Sequence, residues 1–197
     1  MKVLGIAGSP RRRGNTDLLL AEVLRGAGEG GAVTETVVLN NLRITPCRHC
    51  DACFERGNCV IEDDMQNIYC LLDEADRVVL ASPVQFMGPT AQLKAMIDRG
   101  QARWARKYVI KVPPLDPPKE RKGLFIAVGG MKIPNLFEPS QAIITSFFKV
   151  LNIKPAGELL FPGIDERGAI VRYPEALHQA FRAGRELAGS FPKKKDC

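Results

Sequence analysis

The residues able to do chemistry crowd into one short segment, CRHCDACFERGNC, which holds Cys47, Cys50, Cys53 and Cys59 of the chain's six cysteines in the order C-x2-C-x2-C-x5-C. A cubic iron-sulfur cluster needs four thiolates around one centre, and a compact C-x2-C-x2-C wrap delivers three of them from a single turn-rich stretch. Cys59 is free to supply the fourth, because no second cysteine run is present to share it. Two other chemistries use the same residues. A zinc site more often draws on two C-x2-C pairs about 12 to 20 residues apart, but His49 could join three of the cysteines in a Cys3His set. Uncommitted thiols are the third reading. Cys70, within a helical pattern, and Cys197, at the end of the tail, lie outside the wrap and read as structural or incidental, Cys197 being open to oxidation.

A second chemical segment is GSPRRRGNT, Gly8 to Thr16. Glycines let the backbone approach a ligand, Ser9, Asn15 and Thr16 give short donors, an arginine gives charge, and a following helix would point its positive end at the loop. These are the parts of a phosphate site. The nucleoside-triphosphate loop has four residues between its glycines and then Lys-Ser/Thr. Here five separate Gly8 from Gly14, and Asn15 stands where the lysine would be. GAGEGG, Gly26 to Gly31, matches the dinucleotide pattern G-x-G-x-x-G, but it follows a helical pattern and precedes a strand, so it reads as a helix stop.

The elements that position these segments alternate. KVLGIAG, AVTETVVL, RVVLAS, GLFIAVGG and AGELLFPG read as five strands, and helical patterns lie between them and after the last. Such alternation predicts an α/β fold with a doubly wound five-stranded parallel sheet in the flavodoxin-like order 2-1-3-4-5, with the phosphate loop beyond the carboxyl end of the first strand. Residues 1–197 read as a single domain. Two stretches exceed ordinary connections: a cysteine-rich loop over 41–62 after strand 2, and a basic, Pro-rich insertion over 103–122 that reads as a loop over a ligand, a contact for another chain or a loose excursion. The tail, 191–197, is basic.

Formal net charge is +6, spread over Arg11 to Arg13, the 103–122 stretch and Lys193 to Lys195. Aromatics are sparse and no recognition-helix or RNA-binding signature is present, so nucleic acid is not expected; the charge reads first as solvated basic faces with one small-anion site, and an acidic protein partner is the sharper alternative. The N-terminus is the reverse of a signal peptide and no apolar run approaches the roughly 18 residues of a membrane span, so a cytoplasmic protein with no membrane partner is expected. His49 and His178 form no hydrolytic constellation with a Ser or Cys partner.

GSPRRRGNT resembles the phosphate loop of the flavodoxin-like, NADPH-dependent FMN reductases, and SPVQFMGPTAQLKAMIDR resembles the stretch that follows their third strand. The resemblance implies that Ser9, Arg11, Asn15 and Thr16 bind the phosphate of FMN. It also implies that Pro83, Val84, Gln85, Phe86, Met87 and Gly88 line its ring, with Gln85 where the family often has an aromatic and Phe86 or Met87 as replacements for it. Gly129 and Gly130, in the turn after the fourth strand, form a further wall.

With the four cysteines placed between the second strand and the next helix, nearly the whole chain resembles the iron-sulfur flavoprotein family. That implies a [4Fe-4S] cluster on Cys47, Cys50, Cys53 and Cys59, FMN as the second cofactor, and a homodimer or larger homo-oligomer in which one protomer's cluster lies close to another's flavin. An acidic, ferredoxin-type electron donor would suit the basic surface. The expected function is FMN-dependent electron transfer from a small redox protein through the cluster and FMN to an acceptor, with the chemistry carried by cofactors and no catalytic side chain. The alternatives are a cluster-free NAD(P)H-dependent FMN or quinone reductase and a non-catalytic redox carrier or sensor.

Overall fold

The computed structural model describes residues 1–112 and 119–189. Five strands form one sheet: β1 (Lys2–Ala7), β2 (Val33–Val38), β3 (Arg77–Pro83), β4 (Lys122–Gly129) and β5 (Lys154–Pro162). All pairings are parallel and the order is β2-β1-β3-β4-β5, as the alternation predicts. Helices α1 (Asn15–Glu29), α2 (Ala52–Arg56), α3 (Met65–Glu74), α4 (Ala91–Arg99), α5 (Gln101–Tyr108), α6 (Glu138–Val150) and α7 (Pro174–Gly189) fill the connections.

The central strands read as unbroken apolar runs because both faces are covered. Leu4, Ile6, Val78, Leu80, Phe125 and Ala127 turn to one face, under α3, α4 and α6. Val3, Ala7, Val79, Ala81, Leu124, Ile126 and Val128 turn to the other, under α1 and α7. Because every strand runs parallel, their carboxyl ends share one edge, where the phosphate loop and the cysteine segment both emerge.

GAGEGG does end α1, which stops at Glu29 with Gly30 as its cap and Gly26 inside its last turn. A Cβ on Gly26 would lie 2.0 Å from the Phe181 carbonyl oxygen, and one on Gly184 would lie 1.9 Å from that of Val23, so these glycines let α1 and α7 touch backbone to backbone. One expectation is corrected: the stretch from Arg103 is no loop at its start, since α5 occupies it as far as Tyr108 with Ala102 and Ala105 buried and Arg103 folded over Tyr69 and paired with Asp73. Two small apolar residues three apart are a faint helical signal, which basic neighbours mask. PPLDPP, the 191–197 tail and Cys197 lie outside the described residues. No helix among the described residues is long and apolar enough to cross a membrane.

Candidate functional site

The phosphate loop is built by close approach. Gly8 N–H donates to the Ala81 carbonyl at 2.8 Å, its own carbonyl accepts from Thr90 Oγ1 at 2.5 Å, and a Cβ on Gly8 would lie 3.0 Å from both the Ala81 oxygen and Leu93 Cβ. Ser9 Oγ accepts from Arg11 N–H at 3.1 Å, which closes the turn. Gly14 caps α1 with no side-chain acceptor, so the first-turn amides of α1 face the loop with their positive end available to an anion. Ser9, Asn15 and Thr16 are buried, whereas Arg11, Arg12 and Arg13 are exposed.

These residues open on a cavity of about 260 Å³ lined by Ser9, Arg11, Asn15 and Thr16 from the loop, Pro83, Val84 and Gln85 after β3, and Gly130 after β4. Eight expected cofactor residues thus share one hollow. Phe86, Met87, Gly88 and Gly129 do not line it. Phe86 is fully exposed at the tip of the turn beside it. Gln85 and Gly88 exchange backbone hydrogen bonds of 2.9 and 3.0 Å around a tight turn, with Phe86 and Met87 both left-handed at φ 49° and 66°. Such geometry usually selects Asn-Gly, and bulky residues there cost about 1 kcal/mol or more each. Ser140 Oγ donates to the Met87 carbonyl at 3.1 Å and helps to hold the turn.

The cavity has a wall that the sequence did not reveal. Ile164, Asp165 and Arg167, after β5, complete its lining. Asn15 ties them to the loop: its Nδ2 donates to the Glu166 carbonyl at 3.0 Å and its Oδ1 accepts from Ile170 N–H at 3.1 Å. Arg167 Nη2 donates to the Arg12 carbonyl at 2.5 Å. Gly130 leaves room for Asp165, whose Cβ would be 3.0 Å from an added Cβ. Only a pairing across the sheet, not any local motif, brings this segment to the loop. The hollow, its row of α1 amides and its apolar walls at Val84, Val128 and Ile164 fit a phosphorylated planar cofactor.

The cysteine segment is built differently. His49, Asp51 and Gly57 are all left-handed, at φ 50°, 56° and 69°, and they fold the chain round the short helix α2. Gly57 packs beneath Ile110 and Arg106, with Ile110 Cδ1 3.2 Å from where a Cβ would be, and Phe54 meets Trp104 with ring centroids 5.8 Å apart. Cys47, Cys50, Cys53 and Cys59 surround one small hollow of about 20 Å³ with His49, Arg99 and Ala102. All four are free thiols, and Cys70 is exposed on α3, away from them.

Burial pushes the Cys53 thiol up, and the charges of Cys59, Cys47 and Cys50 push it further. Four thiolates so placed repel one another, and a cationic centre among them reverses that cost. Among the described residues no three of His, Cys, Asp and Glu are drawn together for a metal ion. The fit to an iron-sulfur group rests on the donor set itself, four cysteines of one compact segment lining one hollow. His49 has an exposed side chain 3.9 Å from Asp51 Oδ1.

The wrap is tied at both ends. Asp63 Oδ2 accepts from Thr45 N–H at 2.8 Å and pairs with Arg99 Nη1 at 2.7 Å, and Asp64 Oδ2 accepts from Arg43 N–H at 2.7 Å. Burial works against the Asp63 charge, but Arg99 and the backbone N–H groups of Thr45 and Met65 outweigh it and hold the carboxyl below its ordinary range.

The model of the NADPH-dependent FMN reductase family matches residues 1–135. An iron-sulfur flavoprotein of Archaeoglobus fulgidus is 38% identical over 150 residues, which are 76% of this chain and 72% of that protein. The chain belongs to the iron-sulfur flavoprotein family. Within the family, a protein of Methanocaldococcus jannaschii is 46% identical over 101 residues, 51% of this chain and 52% of the relative, so that match spans about half of each. The solved NAD(P)H:quinone oxidoreductase from Methanothermobacter marburgensis shares the fold at a TM-score of 0.72 and 20% identity, over 98% of both chains.

Proposed function

We propose that this chain is an electron-transfer oxidoreductase that holds FMN in the cavity at the phosphate loop and a [4Fe-4S] cluster on Cys47, Cys50, Cys53 and Cys59. The observation that carries the reading is the ring of four thiols round one hollow, in a chain whose phosphate-loop cavity opens at the same edge of the sheet. When bound, the two cofactors supply exchange between one-electron and two-electron steps.

The chain's own residues have distinct tasks. Amides of the first turn of α1, with Ser9 and Thr16, bind the phosphate, and Arg11 adds charge at the loop's open side. Asn15 orients the loop against Glu166 and Ile170. Pro83, Val84 and Gln85, with Gly130, form the walls that place the ring and limit water. Arg48, Arg56 and Arg106 give the cysteine segment a basic surface suited to an acidic one-electron donor. We further expect a cytoplasmic homo-oligomer.

A second reading, a reductase that takes hydride directly from NAD(P)H, draws on the description of the matching FMN reductase family. Rapid-mixing reduction under argon separates the two. Our reading expects a reduced low-potential ferredoxin to bleach the flavin within the mixing experiment while NADPH acts at least tenfold more slowly. Fast reduction by NADPH with an inert ferredoxin would transfer support to the second reading.

A further inference from the structure

Arg99 ends α4 and its side chain is wholly buried. Its guanidinium spans the mouth of the cysteine wrap. Nη1 donates to the Thr45 carbonyl at 2.9 Å and to Asp63 Oδ2 at 2.7 Å, while Nη2 donates to the Ile61 carbonyl at 3.1 Å. Thr45 precedes Cys47 by two residues and Ile61 follows Cys59 by two, so one planar group grips the chain on both sides of the thiols. The main chain of Arg99 is fixed as well, its carbonyl accepting from Tyr69 Oη at 2.6 Å.

One donor is left over. Arg99 Nε is buried with no hydrogen-bond partner, and Arg99 lines the same hollow as the four cysteines. An orphaned N–H in a buried cation is costly, so such a group is a sign of a missing acceptor. The neighbouring acid does not cancel the guanidinium charge fully, because the paired carboxylate lies on the Nη1 side, where Thr45 and Met65 N–H groups share it.

We propose that Arg99 sets the reduction potential of the cluster, with its Nε–H as donor to a sulfur of the cluster or its thiolates and its charge as the fixed counterion. This rests on the cluster reading above. A cation and an N–H···S bond both favour the more negative, reduced state, so Arg99 raises the potential. A purely structural clasp would alter iron retention and leave the potential where it was.

The test is an EPR-monitored redox titration of anaerobically purified wild type, Arg99→Gln and Arg99→Lys, with iron and acid-labile sulfide counted on each sample and the flavin midpoint as internal reference. Arg99→Gln is expected to shift the one-electron equilibrium of the cluster at least tenfold toward the oxidised form, about 59 mV lower. Arg99→Lys should recover part of the shift, and the flavin midpoint should stay constant. An unchanged cluster potential in Arg99→Gln overturns the proposal. If that variant does not retain iron, hyperfine spectroscopy of reduced wild type carrying arginine labelled with 15N at Nε decides: a coupling to that nitrogen supports the proposal, and its absence overturns it. Wild type without acid-labile sulfide would instead remove the cluster reading itself.

Discussion

The phosphate loop and the cysteine wrap both emerge at the carboxyl edge of one sheet, yet they are stabilised in opposite ways. The loop is set by regular elements pressed close together: Gly8 against β3, α1 against α7, and Asn15 across to the segment after β5. Ser9, Asn15 and Thr16 are buried in it, and its arginines reach solvent. The wrap has few regular elements, three left-handed residues and four partly exposed or half-buried thiols. It is closed from outside, by the Arg99–Asp63 pair at its mouth and by α5 over α2. A site carried by the frame should fail only with the frame, whereas a clasped site should open on its own.

The strongest way to break this contrast is to disturb the frame. Gly184→Ala puts a methyl where the Val23 carbonyl oxygen is 1.9 Å away, so α1 and α7 must separate at a cost of about 3 kcal/mol or more. Thermal unfolding should fall by roughly 9 °C, and FMN retention should fall with it. Unaltered stability would mean that the two helices do not pack as described.

Asp63→Asn tests the clasp. It replaces a charge-assisted bond by a neutral one, with an expected loss of about 2 kcal/mol at neutral pH, faster release of iron and unchanged FMN content. The pH dependence has a fixed sign. The folded carboxyl lies below its ordinary range, so its contribution is complete above the unfolded value, about 3.9, and is lost as pH falls through the folded value. The gap in Tm between wild type and Asp63→Asn should therefore be constant from pH 7 to about pH 5 and close below about pH 4. A gap that widens in acid would contradict the pairing.

Asn15→Ala should have a smaller and more local effect. Loss of the two bonds to Glu166 and Ile170 loosens the loop from its far wall, and FMN affinity should drop about tenfold, or about 1.4 kcal/mol, by fluorescence titration. The iron content should not move. If iron fell in parallel with FMN, the two sites would be parts of one unit.

The same contrast explains what was legible beforehand. Strand order, and most residues that line the two hollows, could be read because they rest on local periodicity and compact motifs: apolar runs at 3–7, 78–81 and 124–128, GSPRRRGNT, and the cysteine spacing. What escaped depends on partners far away in the chain. GAGEGG shows a helix end but not that Gly26 also makes room for the Phe181 carbonyl oxygen, which only α7 brings against it. Asp165 and Arg167 carry no motif, and they reach the cavity because Asn15 holds their segment. Asp63 and Arg99 are 36 residues apart and read as ordinary charges on helix ends, although together they close the wrap. The position of Phe86 was likewise not legible, because the left-handed turn that carries it to the surface has no Asn-Gly signature.

The most direct measurement is an absorption spectrum with FMN, iron and acid-labile sulfide counted on anaerobically purified wild type and Cys50→Ser. We predict about four irons and four sulfides per chain in wild type, with a broad shoulder near about 400 nm under the flavin bands. Cys50→Ser should lose this shoulder and its sulfide while keeping a full complement of FMN. A wild-type flavin spectrum without sulfide, or a folded Cys50→Ser that loses both cofactors, would contradict a cluster held separately from the flavin.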